Sequence, residues 1–263
     1  MYCITLDPKH EEKINALTYI PVGLGNNKFS DTCLSDKTGD NICSKNPFYG
    51  EYTFHYWLWK NNFMNIEDGC WIGFCTYRRF WKNKIAKSNN LKHQIISEIP
   101  EEWNNYDVIL ANKIDLTNVK WIKVLKYGKK AFFNNPKSIL KKYRNIKFQF
   151  DMFHGNGVLE KAINVLNEND REDFRLYVTK NRSFNPFNMF ICKSKKLTNQ
   201  YYKTIFEWFE NCEKIFGFNL KGYGQIRLYA FLAERFMPFW FNKYARCLDW
   251  PIVFKDLREE NLD

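Results

Sequence analysis

Short apolar runs of strand length alternate along most of this chain with longer segments of helical period, and that alternation limits the folds open to it. Residues 2–6, 19–22, 70–75, 106–110 and 187–192 read as strands, the first stopped by Asp7-Pro8. Helices are predicted from Asn46 to about Asn62 and over 91–99, 158–167, 171–179, 197–215 and 225–236. Asn46-Pro47 supplies an N-cap and a proline at the first helical position. Pro100 and Pro238 are read as stops, and Gly222-Tyr223-Gly224 as a break. Tyr52, Tyr56, Trp59 and Phe63, spaced by three and four residues, form a stripe expected in the core. Residues 111–150 are basic and aromatic, and no element is assigned there. Strands alternating with helices predict an α/β fold with a mostly parallel central sheet, in one domain over 1–263.

A chain of 263 residues can bury a substantial core, and 45% hydrophobic with 26% charged residues is the balance of a folded protein. The formal charge of +11 favours anionic partners. Its lysines are scattered, as at Lys82, Lys84, Lys87, Lys92, Lys120, Lys123, Lys126, Lys129 and Lys130. Dispersal without a recognised nucleic-acid motif argues for an anionic membrane surface and against nucleic acid. The eight cysteines include no Cys-x-x-Cys pair, so zinc spacing is absent and free thiols in a reducing cytoplasm are expected. Met1-Tyr2-Cys3-Ile4-Thr5-Leu6 lacks the basic start of a secretory leader. No run reaches the roughly 18 apolar residues of a membrane span, so peripheral contact at the inner face of the cytoplasmic membrane is the expectation.

Two segments follow predicted strands where open α/β sheets bind ligands. The loop 36–45, with Asp40 and Asn41 beside Gly39, leads into the helix at Asn46 and reads equally as a turn or as a phosphate site. Tyr77-Arg78-Arg79 follows the strand at 70–75, and paired arginines suit bidentate phosphate contacts as well as a plain surface. His154 lies in a segment read as a flexible, glycine-bearing loop, either exposed or functional. Glu234-Arg235, inside an apolar helix, is either a structural ion pair or part of a site. Glycine-rich phosphate loops, G-x-S-x-G and H-E-x-x-H are all absent.

Thr38-Gly39-Asp40-Asn41-Ile42, Lys45-Asn46, and the helix carrying Glu51, Thr53 and Tyr56-Trp57-Leu58-Trp59-Lys60-Asn61 together resemble the N-terminal signature of a bacterial family. Residues 72–80, 186–191 and 233–235 resemble its later blocks, with Thr76 where that family usually has histidine. The family was first catalogued as a domain of unknown function, occurs in capsular and lipopolysaccharide gene clusters, and is associated with glycosyltransferases, including galactofuranosyl transfer. The resemblance implies a single-domain GT-A-like, Rossmann-related fold and a UDP-sugar donor, bound by the part up to about residue 110. The acceptor, a capsular or lipopolysaccharide-type glycan that can be lipid-linked, is then expected on the C-terminal part.

On this reading Thr38, Asp40, Asn41, Lys45, Asn46, Tyr77, Arg78 and Arg79 bind donor, and Asn188 and Arg235 bind acceptor. Asp151, His154 and Glu234 are candidates for the general base of an inverting transfer. The strand at 70–75 does not end in a carboxylate pair, so Arg78 and Arg79 are expected to neutralise the diphosphate without a metal. Mn²⁺ or Mg²⁺ on Asp40 is the alternative. A nucleic-acid-binding protein, a non-catalytic membrane scaffold and a phosphoramidate-type transferase are the rival readings.

Overall fold

The structure, a computed structural model, describes residues 1–67, 69–117 and 144–259. Lys120, Lys123, Lys126, Lys129 and Lys130 lie outside them. The strands among the described residues are β1 (Tyr2–Thr5), β2 (Ile20–Gly23), β3 (Leu34–Ser35), β4 (Ile72–Thr76), β5 (Arg79–Trp81), β6 (Val108–Ala111), β7 (Ile114–Asp115), β8 (Ser183–Phe184), β9 (Phe190–Cys192), β10 (Cys247–Trp250) and β11 (Ile252–Phe254). The central sheet has the order β10-β6-β9-β4-β1-β2-β3. Its neighbours pair in parallel except at β9, which runs antiparallel to both β6 and β4. The predicted α/β class with a mostly parallel sheet is the observed one.

The period of two along each central strand explains why both faces are dry. Ile4, Phe74, Leu110 and Phe190 point into one hydrophobic core, while their neighbours Cys3, Cys75, Ile109 and Ile191 point into the other. The first core is closed by the helices Tyr52–Trp57, Lys195–Phe216 and Leu228–Tyr244, whose buried faces are rich in aromatic residues. The second is closed by the helix Glu11–Ala16 and by Trp81, Trp103 and Trp250. All eight cysteines are free thiols, and no described helix is long and apolar enough to cross a membrane.

Several elements depart from the sequence expectation. The helix predicted from Asn46 to Asn62 breaks at Gly50, which adopts φ 56°, a conformation that strains any residue with a side chain. A Cβ there would also collide with the Arg227 guanidinium. Beyond Trp57 the helix widens to a π turn over Leu58–Asn62. The widened turn presents Asn61 to the 38–41 loop: Asp40 N donates to Asn61 Oδ1 at 3.0 Å, and Asn61 Nδ2 donates to Asp40 O at 2.7 Å. Trp57 Nε1 donates to Thr38 Oγ1 at 3.0 Å, and Tyr56 donates to Asp40 Oδ1 at 3.2 Å. The two N-terminal motif blocks are therefore halves of one latch. Gly39, at φ 56°, sits where a Cβ would strike Asn61 Oδ1. Gly39→Ala is expected to cost about 1–3 kcal/mol in urea unfolding; a loss below a few tenths would show that the latch is slack.

The helix expected over 91–99 is one turn, Leu91–Gln94, because Ile95 bridges to Lys82 and Ile96 N donates to Trp81 O, burying both isoleucines. The helix expected over 225–236 is a single turn, Tyr223–Ile226, followed by Leu228–Tyr244, which runs through Pro238. Interior proline costs about 3 kcal/mol; burial of Phe236, Met237, Phe239, Trp240 and Phe241 around it offsets that cost. The helix Ile146–His154 and strands β3, β10 and β11 were not read from sequence.

Candidate active site

A cleft of about 440 Å³ opens beyond the carboxyl ends of β1, β2 and β4. Thr5 and Leu6 continue β1, Leu24 follows β2, and Thr76 to Arg79 form the β4–β5 hairpin. The opposite wall comes from Asn46, Gly50 and Glu51 at the helix break, from Phe187-Asn188 before β9, and from Arg227 and Glu234. Parallel strands ending side by side leave such a crevice, which is why ligands of open α/β sheets bind there.

The hairpin makes one end of the cleft cationic. Thr76 pairs with Arg79, so Tyr77 and Arg78 form the turn, with the Arg78 guanidinium 4.8 Å from the Tyr77 ring centroid. Tyr77 is held from behind by His10, stacked at 4.9 Å, and His10 Nδ1 shares a 2.7 Å hydrogen bond with Thr5 Oγ1. Leu257 N donates to Tyr77 O, so the C-terminal segment braces the turn. Arg79 is half-buried, with its guanidinium 4.3 Å from the Phe187 ring centroid. Burial first, then Arg78, lowers the Arg79 pKa, against the pull of Glu234 and Glu51.

Two carboxylates also line the cleft, near enough to act on Arg79. Glu51 Oε1 accepts from Asn188 Nδ2 at 3.0 Å and Oε2 from Arg227 Nη2 at 3.2 Å. Glu234 Oε1 accepts from Phe187 N at 2.9 Å, and Oε2 pairs with Arg235. Between them Phe187 and Asn188 stand at φ 83° and 51°, consecutive left-handed residues costing about 1–3 kcal/mol each. Bonds to the two carboxylates hold this strained turn.

Of the sequence candidates, Asn46, Tyr77, Arg78, Arg79, Asn188 and Glu234 line the cleft. Thr38, Asp40 and Asn41 lie in the latch, outside the lining. Lys45 pairs with Glu213 at 2.6 Å. Arg235 is buried behind Glu234, donating to Gln149 Oε1 at 2.7 Å. Asp151 pairs with Lys147 at 2.8 Å and accepts from Gly157 N; burial pushes its carboxyl up, against the opposing pull of Lys147. His154 is not in a loop but ends the helix Ile146–His154, 6% exposed and stacked on Phe231 at 3.9 Å. Its Nδ1 faces Gly224 O at 2.8 Å, and a carbonyl only accepts, so Nδ1 carries the proton.

Thr5, Glu51, Thr76 and Arg227 also line the cleft without having been given a site role, although Glu51 and Thr76 stand in the motif blocks. Thr5 and Thr76 end buried strands, and that position was their available signal. Arg227 had none, because only folding brings it to Glu51.

Burial pushes His154 and His55 down to about 3. Both stay neutral in the folded state while the unfolded chain protonates near 6.5. Stability is therefore present above about pH 6.5 and is lost as pH falls toward 3, by up to about 1.4 kcal/mol per pH unit for each histidine. His154→Phe should make the decline between pH 6.5 and 5 shallower by one proton's worth in urea unfolding. An unchanged slope would mean that His154 titrates normally.

The resemblance noted in the sequence raises the question of a divalent cation in the cleft. Among the described residues no three His, Cys, Asp or Glu side chains group as metal ligands. The two carboxylates of the cleft are each committed to an arginine and an N–H donor. No step below is routed through a metal.

Sheet order, the reversed β9 and the position of the cleft together define a mixed α/β fold with its crevice at the carboxyl edge of a mostly parallel sheet. Among solved structures the chain is similar to that titled WbbM bifunctional glycosyltransferase, in its apo form, with TM-score 0.68 and 20% identity, covering 96% of this chain and 44% of that one. It thus spans less than half of the WbbM chain. No curated protein matches it. Residues 2–245 match the family described as Domain of unknown function (DUF4422), and the chain belongs to that family.

Proposed function

We propose that this protein is a glycosyltransferase that moves a hexosyl unit, galactofuranosyl or an N-acetylated hexosyl, from a UDP-sugar to a capsular or lipopolysaccharide-type glycan. The observation that carries this reading is the arginine hairpin: Arg78 and Arg79 stand at the carboxyl end of β4, inside a cleft that two carboxylates also line. In the transfer, the bond from the anomeric carbon to the diphosphate oxygen breaks while an acceptor hydroxyl bonds to that carbon. Arg78 and Arg79 neutralise the charge gathering on the departing diphosphate. In an inverting reaction a cleft carboxylate, Glu234 or Glu51, takes the acceptor's proton. Likeness to the WbbM fold supports a transferase scaffold. The net charge of +11 supports work at the inner face of the cytoplasmic membrane on a lipid-linked acceptor.

Thermal unfolding with UDP-, CMP-, GDP- and dTDP-sugars, in EDTA and in Mn²⁺, tests the reading. A UDP-sugar should stabilise the chain by about 2.7 kcal/mol at a hundred times its dissociation constant, and EDTA should leave that shift in place. Absence of a shift with every nucleotide would sink the transferase reading, and a shift abolished by EDTA would sink its metal-free form.

A further inference from the structure

The three most exposed large apolar side chains among the described residues all belong to one two-stranded ribbon, β5 with β11, or flank it. Ile85, Phe254 and Ile99 stand 87%, 64% and 56% exposed. Phe254 pairs with Arg79, Ile85 follows β5 beyond Lys82, and Ile99 follows Ile96, whose N donates to Trp81 O. Single exposed apolar residues are ordinary on a protein surface, but their concentration at one ribbon marks a contact face.

The loop after β5 holds Ile85 outward. Ile85 N donates to Asn83 Oδ1 at 3.2 Å, Asn83 N to Gln94 O at 2.7 Å, and Gln94 Nε2 to Ser88 O at 2.9 Å. Lys84 pairs with Glu102 at 2.9 Å and sits 3.7 Å from the Trp250 ring centroid. An isoleucine tied in this way stays in water unless an outside surface covers it.

Charge says which surface. Residues 82–94 hold four lysines and no acidic side chain. Lys84 is spent on Glu102, while Lys82, Lys87 and Lys92 have no ion-pair partner among the described residues. Lys82 and Lys87, with Ser88 and Asn89, line a groove of about 360 Å³ against Ile252 and Val253 of β11, and Glu98 and Glu101 lie outside that lining. Two ammonium groups beside hydroxyl and amide donors suit a phosphate, and the neighbouring apolar side chains suit hydrocarbon. Anionic phospholipid offers both together. The phosphates of a nucleic acid would engage the lysines and leave the apolar side chains uncovered.

We infer that the loop 82–92 and the adjoining β5–β11 ribbon form a docking face for an anionic phospholipid bilayer, with a headgroup phosphate in the Lys82–Lys87 groove and Ile85 in the interface. Arg79 precedes Lys82 by three residues on this ribbon, so the arginine hairpin of the cleft stands about 10 Å along the strand from the groove. A lipid-linked acceptor in the same bilayer would then present its glycan beside the cleft. That role rests on the transferase reading above; the face itself does not.

Sedimentation of the intact chain with vesicles of phosphatidylcholine, and with vesicles of equal parts phosphatidylcholine and phosphatidylglycerol, tests this. Binding is expected only where phosphatidylglycerol is present. Ile85→Ser should weaken it about 10-fold. Lys82→Ala with Lys87→Ala should weaken it about 25-fold, at about 5-fold per lysine. Lys161→Ala with Lys180→Ala removes the same charge from exposed positions on the helices Val158–Asn164 and Glu168–Lys180, which pack on the first core. That pair should leave binding within about 2-fold. All five side chains are exposed, so Tm should not move. Absence of vesicle binding, unaltered affinity in Ile85→Ser, or equal losses from the two lysine pairs would each overturn the inference. A duplex oligonucleotide that binds more tightly than the vesicles, and loses affinity with the Lys82 and Lys87 pair, would give the groove to nucleic acid and overturn it too. The thermal shift with a UDP-sugar does not involve this face and should persist in every variant. Its absence from the native chain would bring down the transferase reading and the role assigned to the face, while vesicle binding would still stand.

Discussion

On the proposed transferase reading, replacing Arg79 by methionine is expected to lower kcat/KM for sugar transfer by about 10²–10³-fold, with little change in Tm. The guanidinium is half-buried, stacked on Phe187, with Nε unpartnered, and its pKa is lowered by burial and by Arg78. A cation held in this way is poorly solvated and poorly neutralised in the free protein. It gains most when negative charge develops next to it, and in the proposed transfer that charge develops on the departing diphosphate. Methionine keeps the length and the contact with the ring while removing the charge. Arg79→Lys restores the charge but not the planar fork, so it should recover only part of the loss. Steady-state kinetics with the UDP-sugar that gives the largest thermal shift decide the matter. Unaltered kcat/KM in Arg79→Met would remove this residue from the chemistry.

Arg235→Met destabilises the chain by about 3–5 kcal/mol, lowering Tm by roughly 10 °C. Arg235 is 2% exposed, pairs with Glu234, donates to Gln149 and lies 4.6 Å from the Phe184 ring centroid. Removing it strands a partly buried carboxylate and an amide oxygen, and the cost of an unpaired group exceeds what the bond contributed. The loss should reach the cleft as well, because Glu234 also holds Phe187 N in its left-handed turn. Adding Glu234→Gln to Arg235→Met should recover part of the stability by removing the stranded charge. Urea unfolding followed by circular dichroism reads both. A loss under about 1 kcal/mol for Arg235→Met would mean that water reaches the site.

Strand and helix identity was legible where a segment's own period matched its burial. The apolar runs at 2–6 and 70–75 became β1 and β4, and the stripe of the long helix Lys195–Phe216 faces the aromatic core. Legibility failed where a distant partner overruled local preference. Ile95 and Ile96 left a helix to pair beside β5, and Pro238 stayed inside one because its neighbours are buried on all sides. The arginine pair was visible as a motif after a strand. Asp40 and Asn41 were visible too, yet the fold spends them on a latch with Asn61 and on turns within their own loop. His154 looked like a loop residue because Gly155 and Gly157 follow it, but Gly155 ends the helix Ile146–His154 there.

Alternating periods of two and of three to four by themselves determined an α/β chain with strands buried on both faces, and set the arginine hairpin directly after one of them. Those properties follow from which residues must leave water, and neighbours along the chain decide that. Only the tertiary structure decided that Glu51 meets Arg227 across 176 positions and that Phe187-Asn188 twists between two carboxylates. Pairings of that separation leave no periodic trace in a sequence, because they are selected by the geometry of the assembled sheet and helices.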